Sequence, residues 1–148
     1  PAGNGGEQLF FHWPGLFCAV ASWDFPAMMT GYDGTDAEHG TVGDDPAAVY
    51  GTQDNFAANY ELSAAKLAKW AAGQDFGTVN RVWIGDYNDF LADVAPYDPV
   101  LTAAGILHTY SHVAQSAHNW APSPGWVATA VAAIVVPAGP GLLMASFP

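Results

Sequence analysis

The chain has 148 residues, 51% of them hydrophobic, and it carries 14 acidic against three basic side chains, for a formal net charge of −11. This length and apolar content suffice to bury a core, which excludes intrinsic disorder and predicts one domain over residues 1–148. The negative charge repels phosphate groups, so we expect no nucleic acid partner. A single cysteine, Cys18, excludes an internal disulfide and a cysteine-rich zinc module.

The first two thirds of the chain predict a mixture of strands, helices and one long loop. Residues 8–25 are rich in aromatic side chains and are interrupted by Pro14, which predicts two short buried strands around a turn. Residues 30–46 combine glycine, proline and acidic side chains, as surface loops do. The further expected elements are a helix over 55–72 with Asp54 as its N-cap, a strand over 79–84 and a short helix over 86–94 that Pro96 ends.

The last third predicts a helix followed by two strands. Asp98 followed by Pro99 is a helix-start signal, because aspartate caps free amides and proline is tolerated at the first helical position. Apolar runs over 127–136 and 142–147 predict two buried strands. We therefore expect a single α+β domain, in which a histidine-bearing helix over 99–117 packs against a small sheet of N- and C-terminal strands.

Three of the five histidines lie close together in this segment. His108 and His112 are one turn apart on the expected helix, so both rings could reach one metal ion, and His118 could supply a third nitrogen. Three ligands leave an open fourth position, which is typical of catalytic zinc sites. An alternative is that the histidines form hydrogen bonds in a partly polar groove and bind no metal.

The spacing of these histidines resembles the His-Glu-x-x-His-x-x-Gly-x-x-His motif of the metzincin branch of the zincin metallopeptidases. The resemblance implies that His108, His112 and His118 bind zinc and that Met144 forms the methionine turn beneath the metal. Thr109 replaces the glutamate that acts as general base, and Gln115 replaces the glycine. The resemblance therefore implies a metal-binding domain whose hydrolytic activity is absent or altered.

Acidic residues form two further groups. The first group could bind calcium through carboxylate and backbone oxygens. The alternative is that its side chains are simply solvated. Its members are Asp33, Asp36, Glu38, Asp44 and Asp45. The other, Asp86, Asp89 and Asp93, is expected to form a solvated helix face.

Residues 99–148 contain no formally charged side chain, so this part of the chain must be largely covered. Its cover could be the protein's own core, other protein subunits or a bilayer. The apolar run over 126–136 is shorter than the roughly 20 residues of a membrane span, which makes a membrane the less favoured cover. The rival functional hypothesis is thus that the protein is an assembly subunit. It would form a homo-oligomer or part of a virion or extracellular filament. Its expected location is outside the cell or on a virion surface. A subunit of a pigment or membrane complex is a further alternative.

Overall fold

A computed structural model describes residues 2–25, 27, 50–86, 90–113, 125–134 and 142–146, and the expected mixture of helices and strands is confirmed. The helices are α1 (Ala2–His12), α2 (Gln53–Asn59), α3 (Ala64–Ala71), α4 (Leu91–Ala103) and α5 (Gly125–Ala133). The strands are β1 (Phe17–Trp23), β2 (Val82–Asp86), β3 (His108–His112) and β4 (Leu142–Ser146).

The four strands form one sheet in the order β3-β2-β1-β4, and every neighbouring pair is parallel. The pairing of β1 with β4 confirms that N- and C-terminal strands share the sheet. Parallel neighbours need crossover connections, and helices lie between successive strands along the chain. Because β2 and β4 flank β1 on opposite sides, the direction of the crossovers reverses at β1.

Helices cover both faces of the sheet. Strand alternation sends Val20, Val82 and Ile84 to a large core formed with α1, α3 and α4, and sends Ala19, Ala21 and Trp83 to a smaller core under α5. In the smaller core the Trp126 ring stacks against those of Trp23 and Trp83, with centroids 5.6 and 5.7 Å away.

The predicted helix over 99–117 is wrong. Helix α4 begins at Leu91, contains both Pro96 and Pro99, and ends at Ala103. Gly105 follows with φ +74°, and the Ile106 amide donates to the carbonyl of Leu101 at 3.0 Å. This bond and the left-handed glycine are the features of a Schellman C-cap, so the helix stops five residues before the chain enters β3.

Other element boundaries also differ from the predictions. Residues 8–12 belong to α1, and residues 127–133 belong to α5, where we expected strands. The predicted helix over 55–72 is interrupted between α2 and α3, and Thr52 caps α2 in place of Asp54, accepting from the Asn55 amide at 3.1 Å. Within the described ranges, no helix combines the length and apolar character needed to cross a bilayer.

Arg81 holds the start of β2 to the start of β1. Its side chain is almost fully buried, with 7% exposed. The guanidinium donates to the carbonyl oxygens of Pro14, Phe17 and Cys18 at 2.5–2.7 Å, donates to Asp75 Oδ1 at 2.8 Å, and lies 5.2 and 5.0 Å from the ring centroids of Phe10 and Phe76.

Candidate active site

Polar side chains gather where β1, β2 and β3 end. Asp86 is the last residue of β2 and pairs in register with His112, the last residue of β3. Asp24 follows Trp23, which pairs with Gly85, so Asp24 lies beside Asp86 at the next position of the sheet. Ligands of open parallel sheets bind outside the carboxyl ends of the strands, near the point where the crossovers reverse. This edge, ending in Asp24, Asp86 and His112, is therefore the natural place for a site.

A buried carboxylate orients the imidazole of His112. Asp86 is fully buried, and its Oδ1 accepts from His112 Nδ1 at 2.5 Å, while the His112 side chain is 40% exposed. Because an ionised carboxylate only accepts hydrogen bonds, this contact places the proton of a neutral ring on Nδ1. The lone pair then lies on Nε2.

Tyr110 binds the other oxygen of Asp86. It lies two residues before His112 on the same face of β3, and its hydroxyl donates to Asp86 Oδ2 at 2.6 Å. Burial, followed by the hydrogen bond to Asp86 and the charge of that carboxylate, raises the pKa of Tyr110 above its ordinary value of 10. The phenol therefore stays protonated and keeps donating, so each oxygen of Asp86 is held by a different side chain of β3.

Asp24, the residue after β1, has an unusual backbone conformation. Its φ of 47° lies in the left-handed region, which non-glycine residues rarely adopt. The side chain is buried, and Oδ1 accepts from the Phe90 amide at 3.1 Å, which ties the segment after β2 to the end of β1. Such backbone strain is concentrated at functional sites, where the surrounding structure holds it in place.

His108 forms a second pair with a carboxylate at the opposite end of β3. Its Nε2 lies 2.7 Å from Asp98 Oδ1 and its Nδ1 lies 2.9 Å from the carbonyl oxygen of Ile106. Only 7% of the His108 side chain is exposed. Both ring nitrogens are thus engaged, and His108 has a structural role in which no nitrogen faces a substrate.

The structure does not bring His108 and His112 together. Four residues along a strand separate them by about 13 Å, so the helical geometry that suggested a shared metal does not exist here. Met144 lies within β4, in register with Val20, and not in a turn. In the parts of the chain that are described, no group of three or more histidine, cysteine or acidic side chains could hold a metal ion. The three-histidine zinc site stays a prediction.

Several predicted site residues lie outside the described part of the chain. These are His118 and the possible calcium ligands Asp33, Asp36, Glu38, Asp44 and Asp45.

Sequence reasoning missed the two carboxylates of the site. Asp86 was expected to be solvated, yet it is fully buried. A signal was present, because Asp24 directly follows one buried strand and Asp86 ends another, and parallel strands bring their carboxyl ends to the same edge of a sheet. Tyr110 was missed because the segment was assigned to a helix, whereas strand alternation places its side chain beside that of His112.

Gly85 gives the Trp83 indole the space it needs beside the site. A Cβ at position 85 would lie 2.3 Å from Cη2 of Trp83. We expect Gly85→Ala to displace the buried indole and to lower the free energy of unfolding by about 1–3 kcal/mol in urea denaturation. Gly125→Ala is the matched control, since an added Cβ there meets no atom within 4 Å. Equal urea midpoints for the two variants would contradict this prediction.

Comparisons with protein families, with curated proteins and with solved structures gave no match to this chain.

Proposed function

We propose that the protein is a hydrolase in which His112 is the general base and Asp86 orients it. The observation that carries this proposal is the contact at 2.5 Å between a fully buried carboxylate and a histidine that is 40% exposed, at the carboxyl edge of a parallel sheet. A carboxylate behind Nδ1 fixes the tautomer and stabilises the imidazolium that forms during proton transfer.

The reaction uses water as the nucleophile. Among the described residues, no serine, threonine or cysteine side chain forms a hydrogen bond with His112. His112 Nε2 takes a proton from water as the water oxygen attacks an electrophilic carbon, and the same nitrogen then returns the proton to the leaving group. Tyr110 and His112 each contact a different oxygen of Asp86, which keeps the carboxylate oriented toward the His112 ring.

The charge of the chain restricts the substrate. A net charge of −11 and two neighbouring acidic residues, Asp24 and Asp86, repel anions from this edge. Phosphate esters and acidic peptides are therefore poor substrates. An uncharged ester, amide or glycoside fits the electrostatics of the site better.

Replacing His112 by glutamine should lower the rate of hydrolysis by about 100- to 10,000-fold, the usual contribution of a general base. The measurement is release of nitrophenol or nitroaniline from a panel of uncharged p-nitrophenyl esters, p-nitrophenyl glycosides and peptide anilides. His108→Gln is the matched control, because His108 is on the same strand with a carboxylate partner but has both nitrogens engaged. Equal rates for His112→Gln and the wild type would rule out the proposed base.

A second test needs no substrate. Nitrogen-15 spectra of the neutral histidine rings should identify His112 as the Nδ1–H tautomer, and diethylpyrocarbonate should modify His112 faster than His108. Asp86→Asn should alter the tautomer signal of His112.

Binding of a metal ion is the second candidate function. Histidines that bind metals commonly donate their other nitrogen to a carboxylate, and His112 donates Nδ1 to Asp86 in this way. Titration with Zn²⁺ distinguishes the two functions. If one equivalent of Zn²⁺ removes the nitrogen-15 signal of the unprotonated His112 Nε2, the result supports a zinc site. If the signal is unchanged, the result supports His112 as a general base that binds no metal.

A further inference from the structure

A pocket of about 330 Å³ lies between the C-terminal parts of α1 and α2 and shares no residue with the Asp86–His112 pair. The chain carries 14 acidic side chains, yet none of the lining residues is acidic, and none is a lysine or arginine. The wall therefore offers an ionic ligand no carboxylate, ammonium or guanidinium partner. The lining residues are Gln8, Leu9, His12, Trp13, Asn59 and Tyr60.

Two large apolar side chains of the wall are left partly uncovered by the rest of the chain. Leu9 is 43% exposed and Trp13 is 56% exposed. The Trp13 amide donates to the Leu9 carbonyl at 3.0 Å, which continues the helical hydrogen bonds of α1 and places both side chains on one side of the helix. Contact with an apolar ligand would remove this surface from water, which is favourable.

The polar groups of the wall are engaged with one another. The last carbonyls of a helix have no partner inside the helix, and here α1 supplies partners to the end of α2. Gln8 Nε2 donates to the Tyr60 carbonyl, and His12 Nε2 lies 3.0 Å from the carbonyl oxygen of Asn59. The Asn59 amide donates to Asn55 Oδ1 at 2.9 Å. Gln8 Oε1 is shielded from solvent, so a ligand does not reach it. These groups therefore need no hydrogen bond from a ligand.

Aromatic rings hold the wall in place. The centroid of the His12 ring lies 4.3 Å from that of Trp70 and 5.5 Å from that of Trp13. On the other side, the Tyr60 ring centroid lies 5.0 Å from that of Tyr50. Contacts between aromatic rings contribute more than their buried area alone, so these walls favour an aromatic ligand.

We propose that this pocket binds an uncharged aromatic hydrocarbon of two fused rings, the size of naphthalene. The ligand covers Leu9 and packs against the ring of Trp13. A cavity of about 150 Å³ is enough for benzene, so a pocket of twice that volume suits two fused rings. The volume also lies at the lower end of the range for small-molecule pockets, about 300–1,000 Å³.

The test compares naphthalene with 2-naphthoate, which has the same rings and a negative charge. Two-dimensional nitrogen-15 spectra of the full chain follow the indole N–H of Trp13 during each titration. We expect naphthalene to shift this signal. We expect 2-naphthoate to bind at least about tenfold more weakly, because the chain has a net charge of −11 and the wall has no cationic partner for a carboxylate.

Leu9→Glu places a charge on the wall of the pocket and should weaken naphthalene binding at least about tenfold. Leu16→Glu is the matched control, because Leu16 is 58% exposed but does not line the pocket. Its affinity for naphthalene should stay within about twofold of the wild type. Both leucines are partly exposed, so neither substitution buries a charge in the core.

The absence of any Trp13 shift in a solution saturated with naphthalene would overturn the site. Equal affinities for naphthalene and 2-naphthoate would overturn the proposed class of ligand. Equal weakening by Leu9→Glu and Leu16→Glu would mean that binding does not occur in this pocket. A Trp13 signal that moves with protein concentration when no ligand is present would replace the ligand site with a contact between two copies of the chain.

Discussion

Replacing Arg81 by methionine is expected to lower the free energy of unfolding by about 3–5 kcal/mol, the usual cost of breaking a buried ionic network from one side. The variant removes the donors to three backbone carbonyls and leaves Asp75 without its ion pair. The cation also loses its position over the rings of Phe10 and Phe76. Urea denaturation monitored by tryptophan fluorescence measures the change.

Lys69→Met is the matched control for this experiment. Lys69 is an exposed cation on α3, and surface substitutions of this kind usually change the free energy of unfolding by less than about 0.5 kcal/mol. A loss of similar size in both variants would mean that the positive charge itself, and not the buried contacts of Arg81, stabilises the protein.

Raising the pH from 4.5 to 8 is expected to destabilise the protein by about 5 kcal/mol through Glu7 alone. Glu7 is fully buried on α1, where the Tyr97 hydroxyl lies 3.4 Å from its Oε2. Burial raises the pKa of Glu7 from 4.5 to about 8, although hydrogen bonds from Ser22 and Tyr97 oppose the shift. At neutral pH the folded protein therefore holds Glu7 in its uncharged form.

The sign of this effect follows from proton uptake. Between pH 4.5 and 8 the folded state keeps the proton of Glu7 while the unfolded state has released it. The stabilisation is therefore complete below pH 4.5 and falls by about 1.4 kcal/mol for each pH unit until pH 8.

Glu7→Gln tests this prediction, because glutamine resembles the uncharged carboxyl at every pH. The difference in unfolding free energy between variant and wild type should move in favour of the variant as the pH rises from 5 to 8. All other ionisable groups are common to both proteins, so their contribution cancels. Glu61→Gln is the control, since Glu61 is partly exposed on the surface and has only a weak contact, at 3.9 Å, with Lys66. A constant difference across this range would contradict the assignment.

The strands could be predicted from the sequence where a continuous apolar run does not also fit a buried helix. The runs around Val20, Ile84 and Leu143 became β1, β2 and β4. The run over 127–133 became helical, and its alanines at 128, 130, 132 and 133 are strong helix formers. Periodicity alone does not separate a short buried strand from a buried helix.

The region around the site was misassigned because two local signals were given the wrong weight. Proline at 96 and 99 was expected to end one helix and begin the next, yet α4 continues through both, with Val94, Tyr97 and Leu101 buried on one side. Gly105 lies inside the predicted helix, yet its φ of +74° places it directly after the C-cap Ala104, where α4 ends. Thr109 and Tyr110 favour a strand, and this preference was outweighed by the helical spacing of the histidines.

His112 was identified from sequence as a candidate site residue, but its partners were not. The burial of Asp86 depends on neighbouring strands, so it cannot be derived from the local sequence. The spacing of four residues between His108 and His112 fits a helical face and also one side of a strand. The segment forms the strand β3, where His112 contacts Asp86 of β2 and His108 contacts Asp98 of α4.

The alternation of β2 links the chemistry of the protein to correct pairing of its sheet. Asp86 belongs to the same face as Val82 and Ile84, which occupy the large core. A slip of β2 by one residue would direct Asp86 to the opposite face and would insert the Trp83 indole among the helices in place of small aliphatic groups. In a chain with this incorrect register, Asp86 would not orient His112, and the side chains of β2 would not pack in the large core. The proposed activity of His112 would then depend on the fraction of molecules whose strands have the native register.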